Sequence, residues 1–306
     1  MIGRRAALLS FLTSAVLAGG NGVGIRFSNR ELPPLWGAGV RFGVAAALLL
    51  IVMAVMRLPL PRGRAWTGPL TYGLLNFAAS YALGYYALLH MRAGFGQILL
   101  ALVPLTTLLL AVLERQEKLS LAAVTGTLLA FAGVTLMAWV PQTEPVPLLA
   151  ILAAVASTLC LGQTAVLVHR LPGAHPVTTN AIGMAIGAAV LLASSFLLRQ
   201  AHPLPQRTET WLALVYLVIP GSIGVFVLYL LVLRSWPASK AAYLFVVIPF
   251  VTLALSAWLD QEKVGPGVVV GGLLVLAGVY FGALRRRPPT DSVLDAEGGV
   301  LPVERG

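Results

Sequence analysis

The feature that most constrains this chain is a succession of apolar runs about 20 residues long, each bounded by charge, proline or glycine. A helix of that length covers roughly 30 Å, the thickness of a bilayer's hydrocarbon core. Reading for apolar runs and their breakers gives ten candidate spans, at about 6–27, 35–56, 66–89, 93–113, 120–140, 146–169, 177–199, 209–234, 238–259 and 265–284. Composition agrees: 58% of the 306 residues are hydrophobic and only 10% are charged, whereas a soluble chain carries about a quarter charged. The expected class is an all-α membrane protein of ten transmembrane helices.

The net charge of +10 does not point to nucleic acid, because the basic residues sit in short loops between apolar runs, where they fix orientation. With the N-terminus inside, 14 Lys and Arg fall on the inner side, 6 on the outer side, and Arg41 within a span. That bias predicts both termini in the cytoplasm of a multi-pass inner-membrane protein. The opening MIGRRAALLSFLTSAVLAGG imitates a signal peptide, but the duplication below gives it a partner later in the chain and makes it a first span. The single cysteine, Cys160, lies inside an apolar run and has no internal disulfide partner. From Arg285 onward the sequence is polar and rich in Pro and Gly, so 285–306 is expected to be a disordered cytoplasmic tail.

Pro104 and Pro249 stand 145 residues apart, and at that offset Thr107, Gln116, Glu117, Lys118, Gly126, Gly133 and several aliphatic residues meet their own types again. Apolar segments match cheaply, but the prolines, the QEK triplet and the glycine pairs Gly126/Gly271 and Gly133/Gly278 do not. Two copies of five spans follow, 1–142 and 143–284. Five crossings are an odd number, so the second copy enters from the opposite side. That layout lets two similar halves exchange conformations around a central site.

The stretches carrying this signal, YYALLHMRAGFGQILLALVPLTTLLLAVLERQEKLSLAAVTGTLLAFAGVTLM and YLLVLRSWPASKAAYLFVVIPFVTLALSAWLDQEKVGPGVVVGGLLVLAGVYF, resemble the drug/metabolite transporter superfamily, specifically its EamA-type ten-helix exporters. Asn21, Arg41, Glu117 and Glu262 look like that family too, while Gly19-Gly20 replaces its usual Trp-Gly. The resemblance covers about residues 6–284 and implies export or exchange of small metabolites, often amino acids.

Polar groups in hydrocarbon are costly and tend to face a bundle interior or a wet cavity. Arg41 suits a substrate carboxylate by two parallel hydrogen bonds; it equally suits capping a neighbouring helix's carbonyls or snorkelling outward. Tyr72, Asn76 and Ser80 share a helix face at spacing four, and Tyr81 and Tyr85 form an adjacent pair. Asn21 in GGNGVG and Gln163 after Gly162 sit at similar depth in the first spans of the two copies. These residues, with Gln97 and Tyr243, form the expected substrate site; interhelical hydrogen bonding is the alternative for each. Pro104 and Pro249 are candidate hinges. Pro220 and Gly221 are candidate hinges too, in a further break, Pro220-Gly221-Ser222, with no evident counterpart in the third span. Gly126, Ala130, Gly133, Gly271 and Gly278 permit tight helix contact, within one chain or between two; monomer and homodimer both remain open. Trp66, Trp139, Trp211, Trp236 and Trp258 are expected at the interfaces.

No span holds Asp or Glu at depth, the four histidines lack metal-ligand spacing, and no phosphate-cradling loop is present. No cofactor, metal or enzymatic activity is expected. The reading is a secondary transporter of small metabolites, amino acids or related carboxylates among them, acting outward by alternating access with membrane lipid as its surroundings. A carrier of lipid-like cargo and a non-transporting scaffold or sensor are the alternatives.

Overall fold

The computed structural model describes residues 4–115, 120–139, 146–168, 175–225, 228, 232, 244–261 and 265–284. Among them every regular element is helical and there is no strand. Four helices are long and apolar enough to cross a membrane, at Leu8–Asn29, Pro34–Val55, Ala93–Leu113 and Val177–Leu197, and four shorter apolar helices accompany them. Large aliphatic side chains such as Leu9, Ile51, Leu113, Leu128, Leu197 and Leu212 lie exposed on the outside, where hydrocarbon replaces water as solvent.

The elements are α1 (Arg4–Asn29), α2 (Pro34–Val55), a rod built from α3 (Thr67–Tyr72), a π-helical stretch (Gly73–Ala79) and α4 (Ser80–His90), then α5 (Ala93–Leu100), α6 (Val103–Leu113), α7 (Leu121–Trp139), α8 (Leu148–Val168), α9 (Pro176–Leu197), α10 (Thr208–Val218) running into a π-helical stretch (Ile219–Gly224), α11 (Leu244–Leu259) and α12 (Pro266–Val279) with a final π turn (Tyr280–Leu284). The π-helical stretch Gly73–Ala79 is a counterpart to the Pro220-Gly221-Ser222 break, 145 residues before it, the offset read between the matching stretches of the sequence. The expectation that the third span has no such counterpart is thereby corrected. Nothing in GLLNFAA announces it, because the stretch contains no proline.

The two prolines expected to match behave differently. Pro104 opens α6 after the α5 helix has ended in a two-residue turn, whereas Pro249 lies inside a continuous α11.

Close packing comes from small residues. α7 and α12 meet within one chain: a Cβ on Gly126 would lie 2.4 Å from Gly282 Cα, and one on Gly133 would lie 2.5 Å from the Gly271 carbonyl oxygen. The glycines of these two helices therefore serve an intramolecular seam. α2 packs on α9, α1 on α11, α4 and α6 on α8, and α10 on α1. Hydroxyls stitch the seams: Thr106 Oγ1 donates to the Thr158 carbonyl at 3.0 Å, and Thr252 Oγ1 to the Gly19 carbonyl at 2.7 Å.

One end of the bundle gathers the α1–α2 connection, the α4–α5 turn, the α9–α10 loop and the end of α11. Asp260 receives Arg26 Nε at 3.1 Å and an Arg30 nitrogen, while Arg26 Nη1 donates to the Met91 carbonyl. Glu31 accepts the backbone N–H groups of Gln206 and Arg207, and the Trp36 indole donates to the Pro203 carbonyl. The Thr210 hydroxyl and then these backbone groups hold the Glu31 carboxyl below its ordinary pKa. At the far end of the α5–α6 rod, Gln163 Nε2 donates to Glu114 Oε1 at 2.6 Å. Trp66, Trp211 and Trp258 are exposed; Trp236 lies outside the described residues, as do Glu117, Glu262 and the 285–306 tail.

Candidate functional site

The centre of the bundle is organised by the break in the α10 rod. Pro220 offers no backbone donor, and a π turn leaves carbonyls unclaimed by the usual i→i−4 bonds. Ser222 Oγ covers the Leu217 carbonyl at 2.8 Å. The Gly221 carbonyl accepts two long-range donors: Asn21 Nδ2 at 3.0 Å from α1 and Arg41 Nη2 at 3.3 Å from α2. Arg41 Nε also donates to Ser222 Oγ at 3.1 Å. A side chain at position 221 would displace Asn21, since its Cβ would lie 2.1 Å from Asn21 Oδ1.

Arg41 is fully buried. Its guanidinium carbon lies 5.0 Å from the Phe42 ring centroid and 5.3 Å from that of Tyr81, and Tyr85 and Tyr216 are within its electrostatic reach. Among the described residues no carboxylate pairs with it: the only ion pairs are those of Asp260 with Arg26 and Arg30. The Nη1 group has no hydrogen-bond partner of good geometry; the Tyr85 hydroxyl is near enough to interact with the guanidinium but is not well aligned with it. Taking such a cation out of water costs several kcal/mol, and its two bonds return roughly 1.5–3 kcal/mol each. A cation–π contact adds about 1 kcal/mol. Helix capping therefore accounts for two nitrogens of this side chain and leaves one donor group without a well-aligned acceptor and the charge without a counter-anion among the described residues.

Beside this cluster lies a cavity of about 80 Å³ lined by Ser80, Tyr81, Gly84, Tyr85, Gln97 and Ser157, with Ile25, Leu88, Leu100, Ala154 and Leu161 as its apolar wall. The Ser80 hydroxyl donates to the Asn76 carbonyl and Ser157 Oγ to the Ser80 carbonyl. The buried Tyr85 hydroxyl and Gln97 Oε1 have no hydrogen-bond partner of good geometry, and neither has Asn21 Oδ1. Buried polar atoms are nearly always satisfied; four without a partner of good geometry, at Asn21, Arg41, Tyr85 and Gln97, lie around this centre, while Ser14, Ser28, Asn29 and Thr178 hold others elsewhere in the bundle.

The glycines of GGNGVG serve this centre by letting neighbours approach an unbroken α1. A Cβ on Gly20 would strike the Tyr216 ring, and one on Gly22 would meet the Gln97 side chain at 2.9 Å. Of the residues singled out from sequence, Asn21, Arg41, Ser80, Tyr81, Tyr85 and Gln97 come together. Asn76 enters through its carbonyl, and Pro220 and Gly221 form the break that receives Asn21 and Arg41. Gln163 is not brought to Asn21; it bonds Glu114 instead. Tyr72 packs edge-on against Phe77. Tyr243 lies outside the described residues. Sequence reasoning missed Tyr216, whose hydroxyl donates to the Leu17 carbonyl at 2.7 Å. Its one signal is its position four residues before Pro220, on the turn leading into the break.

Comparison with known proteins gives this geometry its context. The EamA-like transporter family matches twice, over residues 5–139 and 148–283. An "Uncharacterized transporter YyaM" of Bacillus subtilis is 25% identical over 80% of this chain and 83% of its own length. A "Probable terminal-alkyne amino-acid exporter" of Streptantibioticus cattleyicolor is 27% identical over 79% and 81%. A "Probable amino-acid metabolite efflux pump" of Salmonella typhimurium is 26% identical over 91% and 94%. One crystal structure superposes with a TM-score of 0.61, covering 92% of this chain and 98% of that one at 20% identity, which shows a shared fold. Two family matches that together span most of the chain, on a bundle of apolar helices, identify an integral membrane transporter of small molecules and not an enzyme: the chain belongs to the EamA-like transporter family.

Proposed function

We propose that this protein is a secondary transporter that exports a small carboxylate-bearing metabolite across the inner membrane, with both termini cytoplasmic. The observation that carries the proposal is Arg41: wholly buried, unpaired with any carboxylate among the described residues, and holding an Nη1 that, like the neighbouring Tyr85 hydroxyl, has no well-aligned hydrogen-bond partner. A guanidinium fork matches a carboxylate in shape and charge, and an arriving anion supplies the charge the protein withholds. Asn21 orients the cluster through the Gly221 carbonyl, and Tyr81, Tyr85 and Gln97 line the adjoining cavity.

The mechanism is alternating access between two inverted five-helix repeats, 1–142 and 143–284. Three observations support it. The family matches once in each half. Paired contacts recur: Gly19 of α1 abuts Val251 of α11, while Gly162 of α8 abuts Thr106 and Thr107 of the α5–α6 rod. And the α1–α2 connection meets the α9–α10 loop at one end of the bundle, the neighbour relation that oppositely threaded halves produce. Outward transport accords with the exporter and efflux names of two relatives.

The test is counterflow in proteoliposomes with purified protein and a panel of labelled amino acids, hydroxy acids and other small carboxylates. Accelerated exchange of at least one carboxylate is expected. A protein that moves none of them, yet moves neutral or lipid-like compounds, contradicts the proposal.

A further inference from the structure

The cavity beside Arg41 presents a second demand of opposite chemistry. Gln97 is 5% exposed, and its Oε1 has no hydrogen-bond partner. The side chain is braced against Gly22 of α1. The two serine hydroxyls of the cavity are engaged, Ser80 with the Asn76 carbonyl and Ser157 with the Ser80 carbonyl. An amide oxygen only accepts and a guanidinium only donates. Among the unsatisfied groups here, Arg41 Nη1 can only donate and Gln97 Oε1 can only accept, so the pair asks for a carboxylate at one pole of the cargo and a donor at the other. Tyr81 and Tyr85 connect the poles, lining the cavity on one side and facing Arg41 on the other.

Gly84 sets how much room remains. A Cβ there would meet only Ser157 Oγ, at 3.6 Å, which is ordinary contact. At Gly96, another wall position, a Cβ would collide with Leu88 Cδ2 at 2.6 Å. Position 84 is thus where protein volume can be exchanged for cargo volume inside a cavity of about 80 Å³, space for a handful of water-sized groups.

We propose that Gln97 and Gly84 determine specificity: Gln97 Oε1 accepts a hydrogen bond from a protonated amino group of the cargo, and Gly84 limits the size of its side chain. The inference rests on the reading of Arg41 as the carboxylate site. A charge-assisted bond is about twice as strong as a neutral one, so the cationic amine outcompetes a hydroxyl, and a keto group offers no donor.

Three acids of one carbon skeleton test this: L-alanine, L-lactate and pyruvate, with L-leucine as the larger amino acid, in counterflow by the full-length protein. The wild type is expected to favour alanine over lactate and lactate over pyruvate. Gln97→Leu lowers the alanine-to-pyruvate ratio by about tenfold or more, and Gly84→Val lowers the leucine-to-alanine ratio by about tenfold. Should Gln97→Leu fail to fold, Gln97→Asn, which withdraws the amide by one carbon, carries the same expectation. An unchanged alanine-to-pyruvate ratio in a folded Gln97 variant, or an unchanged leucine-to-alanine ratio in Gly84→Val, overturns the inference while leaving the carboxylate site standing. A wild type that moves none of these acids removes the carboxylate site and this inference together.

Discussion

Asp260→Asn is the sharpest perturbation of the proposed transport cycle. Asp260 follows α11, its side chain is 6% exposed, and it receives Arg26 and Arg30 from the end of α1. Arg26 also reaches the Met91 carbonyl, so the cluster fastens α1, α11 and the α4–α5 turn. Arg30 is 41% exposed, and such a pair contributes about 0.5 kcal/mol or less once water screens it. Arg26 is 27% exposed, and its charge-assisted bond to a largely buried carboxylate is worth about 1.5 kcal/mol. Together the cluster favours the closed arrangement of this end by roughly 2 kcal/mol, about a thirtyfold bias in population. The asparagine variant removes most of it. Spin-label distances between the ends of α1 and α11, in a Cys160→Ser background that clears the single native thiol, should show a longer-distance population growing by about that factor. An unchanged distance distribution would refute the idea that this ion cluster holds this end of the bundle shut. Weakening the Gln163–Glu114 bond at the opposite end should shift the population the other way.

Other expected outcomes follow from the packing and the break. Gly126→Val forces a side chain onto the α12 backbone and should cost about 3 kcal/mol or more, read as a fall in thermal unfolding temperature in detergent. Gly221→Ala pushes into Asn21 and should cut transport per folded molecule by about tenfold or more, whereas Gly224→Ala, which meets the Leu17 side chain only at 3.3 Å, should retain most of it. The Glu31 carboxyl is held below its ordinary value of 4.5 by Thr210 first and by the Arg207 and Gln206 N–H groups. A depressed carboxylate stabilises fully above its unfolded value, and the contribution is lost as pH falls through the folded one. Amide exchange at Gln206 and Arg207, corrected for intrinsic rate, should therefore lose protection below about pH 4.5 in the wild type and show no such acid transition in Glu31→Gln.

The membrane class and the location of the apolar runs were legible because hydrocarbon thickness writes itself into run length. Arg41 was legible because a charge in such a run is rare. Its partner was not: the Gly221 carbonyl is a backbone atom 180 positions away, and no residue type encodes it. The two π-helical stretches differ in the same way. Pro220 betrays one, while Gly73–Ala79 arises from how its rod packs on α9, Gly73 lying against Ile186 and Gly187 against Phe77, with no breaker in its sequence. Asn21 and Gln163 shared a depth but not a repeat position, since the 145-residue offset carries Asn21 to Val166; the structure gives Gln163 to Glu114. Tyr216 stayed hidden because an aromatic in an apolar run looks like core.

The most direct test is the discrimination of a carboxylate from its amide in Arg41 variants. Counterflow of L-alanine against L-alaninamide isolates the charge Arg41 answers, because any purely structural damage lowers both together. The wild type should favour the carboxylate by about a hundredfold, Arg41→Lys should keep part of that preference, and Arg41→Ala should abolish it. An Arg41→Ala protein that still prefers the carboxylate to the wild-type extent would contradict the account at its centre.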